Sequence, residues 1–234
     1  MIRMVLCGAT GRMGRAIKKL VSEEEAFAIS HEVAPSLRTT FWSFNGEADV
    51  TLDFSTPAVL SEALSFCVTR KLPLVIGTTG HSEDVYGELE EAARHIAIIK
   101  SENFSRGAYV LGSLAKRAVQ MLGDDYDVSI VESHHRNKVD APSGTAKRIA
   151  AMMGVPVQTH SIRGGGLTGT HEIFFDGAND RIVLSHEALD RRLFAIGALD
   201  AAKWILQCAP GLYGMEDFER RTEDSAQGFK YSHR

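Results

Sequence analysis

Between Glu132 and Ala146 the chain reads ESHHRNKVDAPSGTA, with two adjacent histidines, an arginine and a lysine inside residues 134–138. Imidazoles change protonation near neutral pH, so His134 and His135 suit general acid–base work. Lys138, crowded in sequence by Arg136 and the histidines, is a further candidate proton donor. Ser143-Gly144-Thr145 follows a proline and is expected to open a helix. Backbone N–H groups and hydroxyls at such a start are suited to a carboxylate. The chemistry implied is proton delivery to a small anionic molecule. An exposed polar loop is the alternative, and it leaves the density of proton carriers unexplained. Arg163-Gly164-Gly165 is a further anion-site candidate, or simply a turn before a strand.

A second motif, GATGRMGR (Gly8–Arg15), follows a short apolar run and precedes a helical pattern. Glycines in that context let the backbone turn tightly against a pyrophosphate, whose charge meets free N–H groups of the helix. The spacing is G-x-x-G-x-x-G, with Thr10 near the usual middle glycine. DFSTP (Asp53–Pro57) and GTTG (Gly77–Gly80) both fall where strands are expected to end. In open parallel sheets that edge is where ligands bind. An acid ending the second strand would favour NAD, and cations would favour NADP. Glu32 is the only acid nearby, while Arg12 and Arg38 could serve a phosphate; the choice stays open.

The elements that must position these groups alternate over the first hundred residues. Strands are predicted at Ile2–Cys7, Phe27–Val33, Asp49–Phe54, Pro73–Gly77 and Ile96–Lys100, separated by helices. One helix should carry Met13, Ile17, Leu20 and Val21 on one face; another should be capped by Thr56 with Pro57 in its first turn. A polar helix is expected around Glu83–Arg94. This order implies a doubly wound parallel sheet. A helix over Tyr109–Leu122 should turn Leu111, Leu114, Ala115, Ala118 and Met121 inward. A strand over Tyr126–Ser133 leads into the histidine motif. Three strand-like runs follow, around Val157–Ile162, Glu172–Phe175 and Ile182–Ser185, with no helix between them. They predict a second, smaller α+β domain with a mixed or antiparallel sheet. A last helix, Ala195–Leu206, precedes a polar tail.

Bulk properties narrow the class. The 234 residues carry a net charge of -4, which gives no reason to expect a nucleic-acid partner. Cys7, Cys67 and Cys208 form no C-x-x-C pair and read as reduced thiols. No apolar run is long enough to span a bilayer, so a cytoplasmic protein without membrane contact is expected. No H-E-x-x-H occurs, which argues against a metal-dependent hydrolase, and no metal site is expected.

The string E-S-H-H-R-N-K-V-D-A-P-S-G-T resembles the signature of the dihydrodipicolinate reductase family. GATGRMGR, DFSTP, VIGTTG, ENFS and RGGG…GTHE stand in that family's order across nearly the whole chain. The resemblance implies reduction of 4-hydroxy-tetrahydrodipicolinate, a cyclic dicarboxylate, by NADH or NADPH in diaminopimelate and lysine biosynthesis. It implies His134 as the acid–base residue and Lys138 as proton donor, with His135, Ser143, Gly144 and Thr145 holding substrate. Gly8, Ala9, Thr10, Gly11, Arg12 and Met13 would line the cofactor site with Gly77, Thr78, Thr79, Ser101, Glu102, Asn103 and Phe104. Residues 1–104 and 194–234 would form the dinucleotide-binding domain. Residues 105–193 would bind substrate and join a homotetramer, with Asn103–Gly107 as one hinge strand. The chain departs from the family at Ser133, where alanine is usual, at Ile196, where asparagine is usual, and at Glu102. Rival readings are another amino-acid dehydrogenase on a similar fold and a nucleotide-sensing module without chemistry.

Overall fold

The computed structural model describes residues 1–82 and 84–226. The chain divides into two compact units, Met1–Phe104 with the chain from Phe194 onward, and Ser105–Leu193.

The first unit begins β1 (Ile2–Cys7), α1 (Arg12–Glu23), β2 (Phe27–Val33), β3 (Val50–Asp53), α2 (Leu60–Arg70), β4 (Leu74–Ile76), α3 (Val85–Ala93) and β5 (Ala97–Lys100). Met4 to Cys7 are buried without alternation, as a strand covered on both faces must be. Val5 and Cys7 pack with Ala63, Phe66 and Cys67 of α2 and Leu89 of α3. Strand alternation sends Met4 and Leu6 to the opposite face. The six strands are all parallel in the order β10-β5-β4-β3-β1-β2.

Two features differ from the expectation here. The stretch read as a polar tail supplies the sixth strand, β10 (Gly211–Tyr213), and α7 (Met215–Ala226), whose Met215 and Phe218 are fully buried. Thr56 makes no side-chain cap, and Pro57 begins a single 3-10 turn that precedes α2. Glu83, at the start of the expected polar helix, lies outside the described residues.

The second unit runs α4 (Arg106–Leu122), β6 (Asp127–His134), α5 (Gly144–Met153), β7 (Gln158–Arg163), β8 (Thr170–Asp176) and β9 (Arg181–Glu187), and α6 (Arg192–Ile205) starts at its end. Helix α4 opens three residues earlier than the periodicity suggests, because the Ser105 side chain accepts the Ala108 N–H. Leu111 and Ala115 are buried, but Leu114 and Met121 are exposed, which narrows the inward stripe expected of this helix. The sheet order is β7-β6-β8-β9, with β6–β7 parallel and the other pairs antiparallel, so it is mixed. One face carries Ile130, Ile173 and Phe175 against Leu111 and Ala115 of α4 and Ile149 and Met153 of α5. Period-two alternation puts Glu132, His134 and His171 on that covered face. Val131, Phe174, Val183 and Ile162 fall on the other face, where Ile162 and Val183 are exposed.

Candidate active site

In the second unit the sequence motif folds around one carboxylate. Glu132 has no exposed side-chain surface. Its Oε1 and Oε2 accept both terminal nitrogens of Arg163 at 2.6 and 2.8 Å. Oε2 also lies 2.5 Å from Nδ1 of His134, and Oε1 accepts the Ser143 backbone N–H at 3.2 Å. Burial opposes the charge on Glu132, but these hydrogen bonds, Arg163 first, outweigh it and hold the carboxyl down at about 2. An ionised partner requires the proton on Nδ1 of His134, which leaves Nε2 as the free lone pair. Burial pushes His134 below the usual histidine range, and Glu132 opposes that shift. The imidazole is therefore a neutral base with a fixed tautomer.

Gly169 keeps space beside that nitrogen. Its φ is +153°, and a Cβ there would stand 2.9 Å from His134 Nε2. His171 lies directly opposite Glu132 across the β6–β8 ladder. Its ring meets that of His134 edge-on with centroids 5.2 Å apart, and its Nε2 is 3.2 Å from Ser143 Oγ. Ser143 Oγ accepts the Ala146 N–H at 3.2 Å and so caps α5. Burial, then the neighbouring His134, lowers His171 to about 4.

The remaining motif residues sit around this hub. Lys138 Nζ lies 2.8 Å from Asp140 Oδ1, so its partner is a carboxylate and not the cations beside it in sequence. Burial works against the charge on Asp140, yet the Lys138 hydrogen bond keeps its carboxyl below the usual range. His135 is half-buried, and its backbone carbonyl accepts the Lys138 N–H. Gly144 and Thr145 form the first turn of α5. Arg163, proposed from sequence as an anion site, has its terminal nitrogens taken by Glu132 and by the carbonyls of Ile162 and Asp140. It is a structural cation. Glu132 and His171 are the partners that sequence reasoning missed. Among the described residues no group of three or more His, Cys, Asp or Glu could hold a metal ion.

In the first unit the predicted cofactor residues gather where parallel strands end. Gly8 has φ +76°, and a Cβ on it would fall 2.2 Å from the Phe54 carbonyl oxygen beyond β3. A Cβ on Gly14 would fall 2.3 Å from the Gly8 carbonyl oxygen. Gly11 caps α1 without any side chain, so the N–H groups of Arg12 and Met13 begin the helix uncapped. Ala9 is buried, and Thr10 Oγ1 accepts the Ser36 hydroxyl at 3.0 Å. Such a turn fits the pyrophosphate of a dinucleotide. Gly77 follows β4, and its N–H reaches the Asp53 carbonyl at 2.9 Å. Thr78 Oγ1 accepts the Ser55 N–H at 2.9 Å, and Thr79 is exposed. Beyond β5 the Ser101 hydroxyl donates to the Asn103 carbonyl at 2.8 Å, and Glu102 is exposed. Phe104 is buried against Phe54, so only its backbone is left for a ligand.

A glycine turn at the edge of a doubly wound sheet, with a second unit built around a buried histidine–carboxylate pair, is the arrangement of an NAD(P)-dependent oxidoreductase. Family models for dihydrodipicolinate reductase match residues 2–104 (its N-terminus) and 107–218 (its C-terminus). The chain belongs to the dihydrodipicolinate reductase family. A 4-hydroxy-tetrahydrodipicolinate reductase of Rickettsia bellii is 39% identical over 244 residues, covering 93% of this chain and 94% of the relative. One from Rhodopseudomonas palustris is 35% identical over 261 residues, covering 92% and 96%. The fold matches that of a dipicolinate-bound dihydrodipicolinate reductase from Paenisporosarcina sp. TG-14, with a TM-score of 0.75 at 24% identity over 92% of this chain and 97% of that one.

Proposed function

We propose that this chain reduces 4-hydroxy-tetrahydrodipicolinate to tetrahydrodipicolinate with NADH or NADPH, releasing water, in diaminopimelate and lysine biosynthesis. The observation that carries this reading is Glu132, which ties the histidine that handles protons to the helix start that receives a carboxylate.

The ring hydroxyl leaves as water together with a proton from the neighbouring ring carbon, and the conjugated imine so formed takes up one hydride and one proton. The bound nicotinamide cofactor supplies the hydride. His134 Nε2 and the Lys138 ammonium handle the protons, at the ring carbon that gains density and at the departing oxygen. A positioned proton carrier contributes roughly 10²–10⁴-fold. One ring carboxylate is held by Ser143, Gly144 and Thr145 at the start of α5, the other by His135 with Lys138. The segments Gly8–Met13, Gly77–Thr79 and Ser101–Phe104 hold the dinucleotide, mostly through backbone groups. The first unit is accordingly the dinucleotide-binding domain, and the second the substrate domain.

The second unit also joins copies into a homotetramer. This is supported by the open sheet face with exposed Ile162 and Val183, which nothing else in that unit covers. We place the enzyme in the cytoplasm without membrane or nucleic-acid partners; among the described residues no helix is long and apolar enough to cross a membrane. The assay supplies the condensation product of pyruvate and aspartate semialdehyde and follows oxidation of each reduced nucleotide. Turnover with at least one supports the reading; none with either contradicts it.

A further inference from the structure

We infer that His171 is a positioning residue for substrate: its Nε2–H is held against Ser143 Oγ, which leaves the Ser143 hydroxyl able only to donate, to a carboxylate at the start of α5. The inference rests on the reductase reading, which supplies that carboxylate.

His171 comes from β8, directly opposite Glu132 of β6, and Ser143 is the residue that caps α5. The sheet thus brings an imidazole to a cap that lies 28 residues away in sequence. Both side chains are buried, so their polar atoms must be met by protein or by ligand. Ser143 Oγ accepts the Ala146 N–H at 3.2 Å and lies 3.2 Å from His171 Nε2. The other ring nitrogen, Nδ1, is buried without a hydrogen-bond partner.

The groups facing His171 keep its ring neutral. Burial, His134, His186 directly opposite on β9, and Lys138 all oppose a second proton, and Glu132 alone favours one. A neutral imidazole has a single proton to place. On Nδ1 it would make a buried N–H with nothing to accept it, and such orphans are rare in folded proteins. On Nε2 it donates to Ser143 Oγ and leaves only an unmet lone pair. Both lone pairs of that oxygen are then filled, one by Ala146 and one by the ring. The hydroxyl proton remains, and among the described residues no acceptor is bonded to it once the ring is a donor. It belongs to the first turn of a helix, where an anion is favoured. A substrate carboxylate completes the set. The run from Nε2–H through Oγ–H to carboxylate is one in which each bond polarises the next.

Calorimetric binding of pyridine-2,6-dicarboxylate to the full chain, alongside steady-state kinetics, tests this. His171→Leu should raise the Kd of the dicarboxylate and the KM of substrate about tenfold or more, the loss of one charge-assisted bond, while kcat falls less than about threefold. His171→Gln, whose amide can donate from the place of Nε2, should recover most of that affinity. In a Ser143→Ala background His171→Leu should cost less than about twofold more, because the two side chains act as one unit. The native chain supplies a check that needs no variant to fold: nitrogen NMR of the dicarboxylate complex should show a neutral His171 with its proton on Nε2. A proton on Nδ1, unchanged affinity in His171→Leu, or an undiminished loss in the Ser143→Ala background would each overturn the inference and leave the reductase reading intact. A native chain that neither binds the dicarboxylate nor turns over would overturn both.

Discussion

Glu132 Oε2 lies 2.5 Å from His134 Nδ1 on the covered face of the smaller sheet, and the same carboxylate is gripped by both terminal nitrogens of Arg163. A buried carboxylate so compensated stays ionised, and an ionised acceptor fixes the imidazole tautomer. Glu132→Gln removes the charge and keeps the shape. We predict a fall in kcat of roughly 10²-fold or more with a smaller change in KM, because proton handling is lost while the anion turn persists. Steady-state kinetics of the variant checks this; an unchanged kcat would reduce Glu132 to a structural acid.

His134→Gln should lower turnover at least about tenfold, towards the range of a lost general acid–base group. Cofactor binding, followed by nucleotide fluorescence, should stay near normal. Full activity in this variant would remove His134 from the mechanism.

Gly169→Ala sets a methyl group against the same nitrogen, 2.9 Å away, at a φ of +153° that side chains rarely adopt. The strain is expected to cost about 1–3 kcal/mol. Activity should fall more than thermal stability alone explains, measured well below the melting temperature. A variant that melts lower but turns over normally would show that His134 Nε2 does not need this space.

Stability should depend on acid through His171. Its folded-state pKa is lowered to about 4 from 6.5, so between those values the unfolded chain binds the additional proton. The contribution is complete above pH 6.5 and is lost as the pH falls toward 4. Glu132 behaves as a depressed acid, its contribution complete above 4.5 and lost toward 2. Denaturant melts from pH 7 to pH 4.5 should show stability declining, with a shallower decline in His171→Asn. Equal slopes in the two proteins would contradict the assignment.

Much of this was readable beforehand, for identifiable reasons. The parallel strands are short apolar runs punctuated by glycine and proline, and the helices between them carry clear stripes, so the doubly wound sheet follows from periodicity. The histidine motif and the start of α5 are contiguous in sequence, which made their association local. Glu132 and His134 are two apart in a strand and so share a face; that signal was present and unused. The roles of Arg163 and His171 depend on ladder pairings across β6–β7 and β6–β8, which spacing does not encode. The contact between Lys138 and Asp140 was likewise hidden by the nearer cations. β10 is only three residues long, and α7 offers Met215 and Phe218 as buried anchors amid acids and arginines, too sparse for a stripe.

The central claim is that His134 Nε2, held by Glu132, faces the ring whose carboxylate sits on the start of α5. A crystal structure of the chain with pyridine-2,6-dicarboxylate tests it most directly. The account predicts one carboxylate on the Ser143–Thr145 turn and the ligand within about 3.2 Å of His134 Nε2, directly or through one water. A dianion bound elsewhere, with the turn empty and the imidazole untouched, would contradict it.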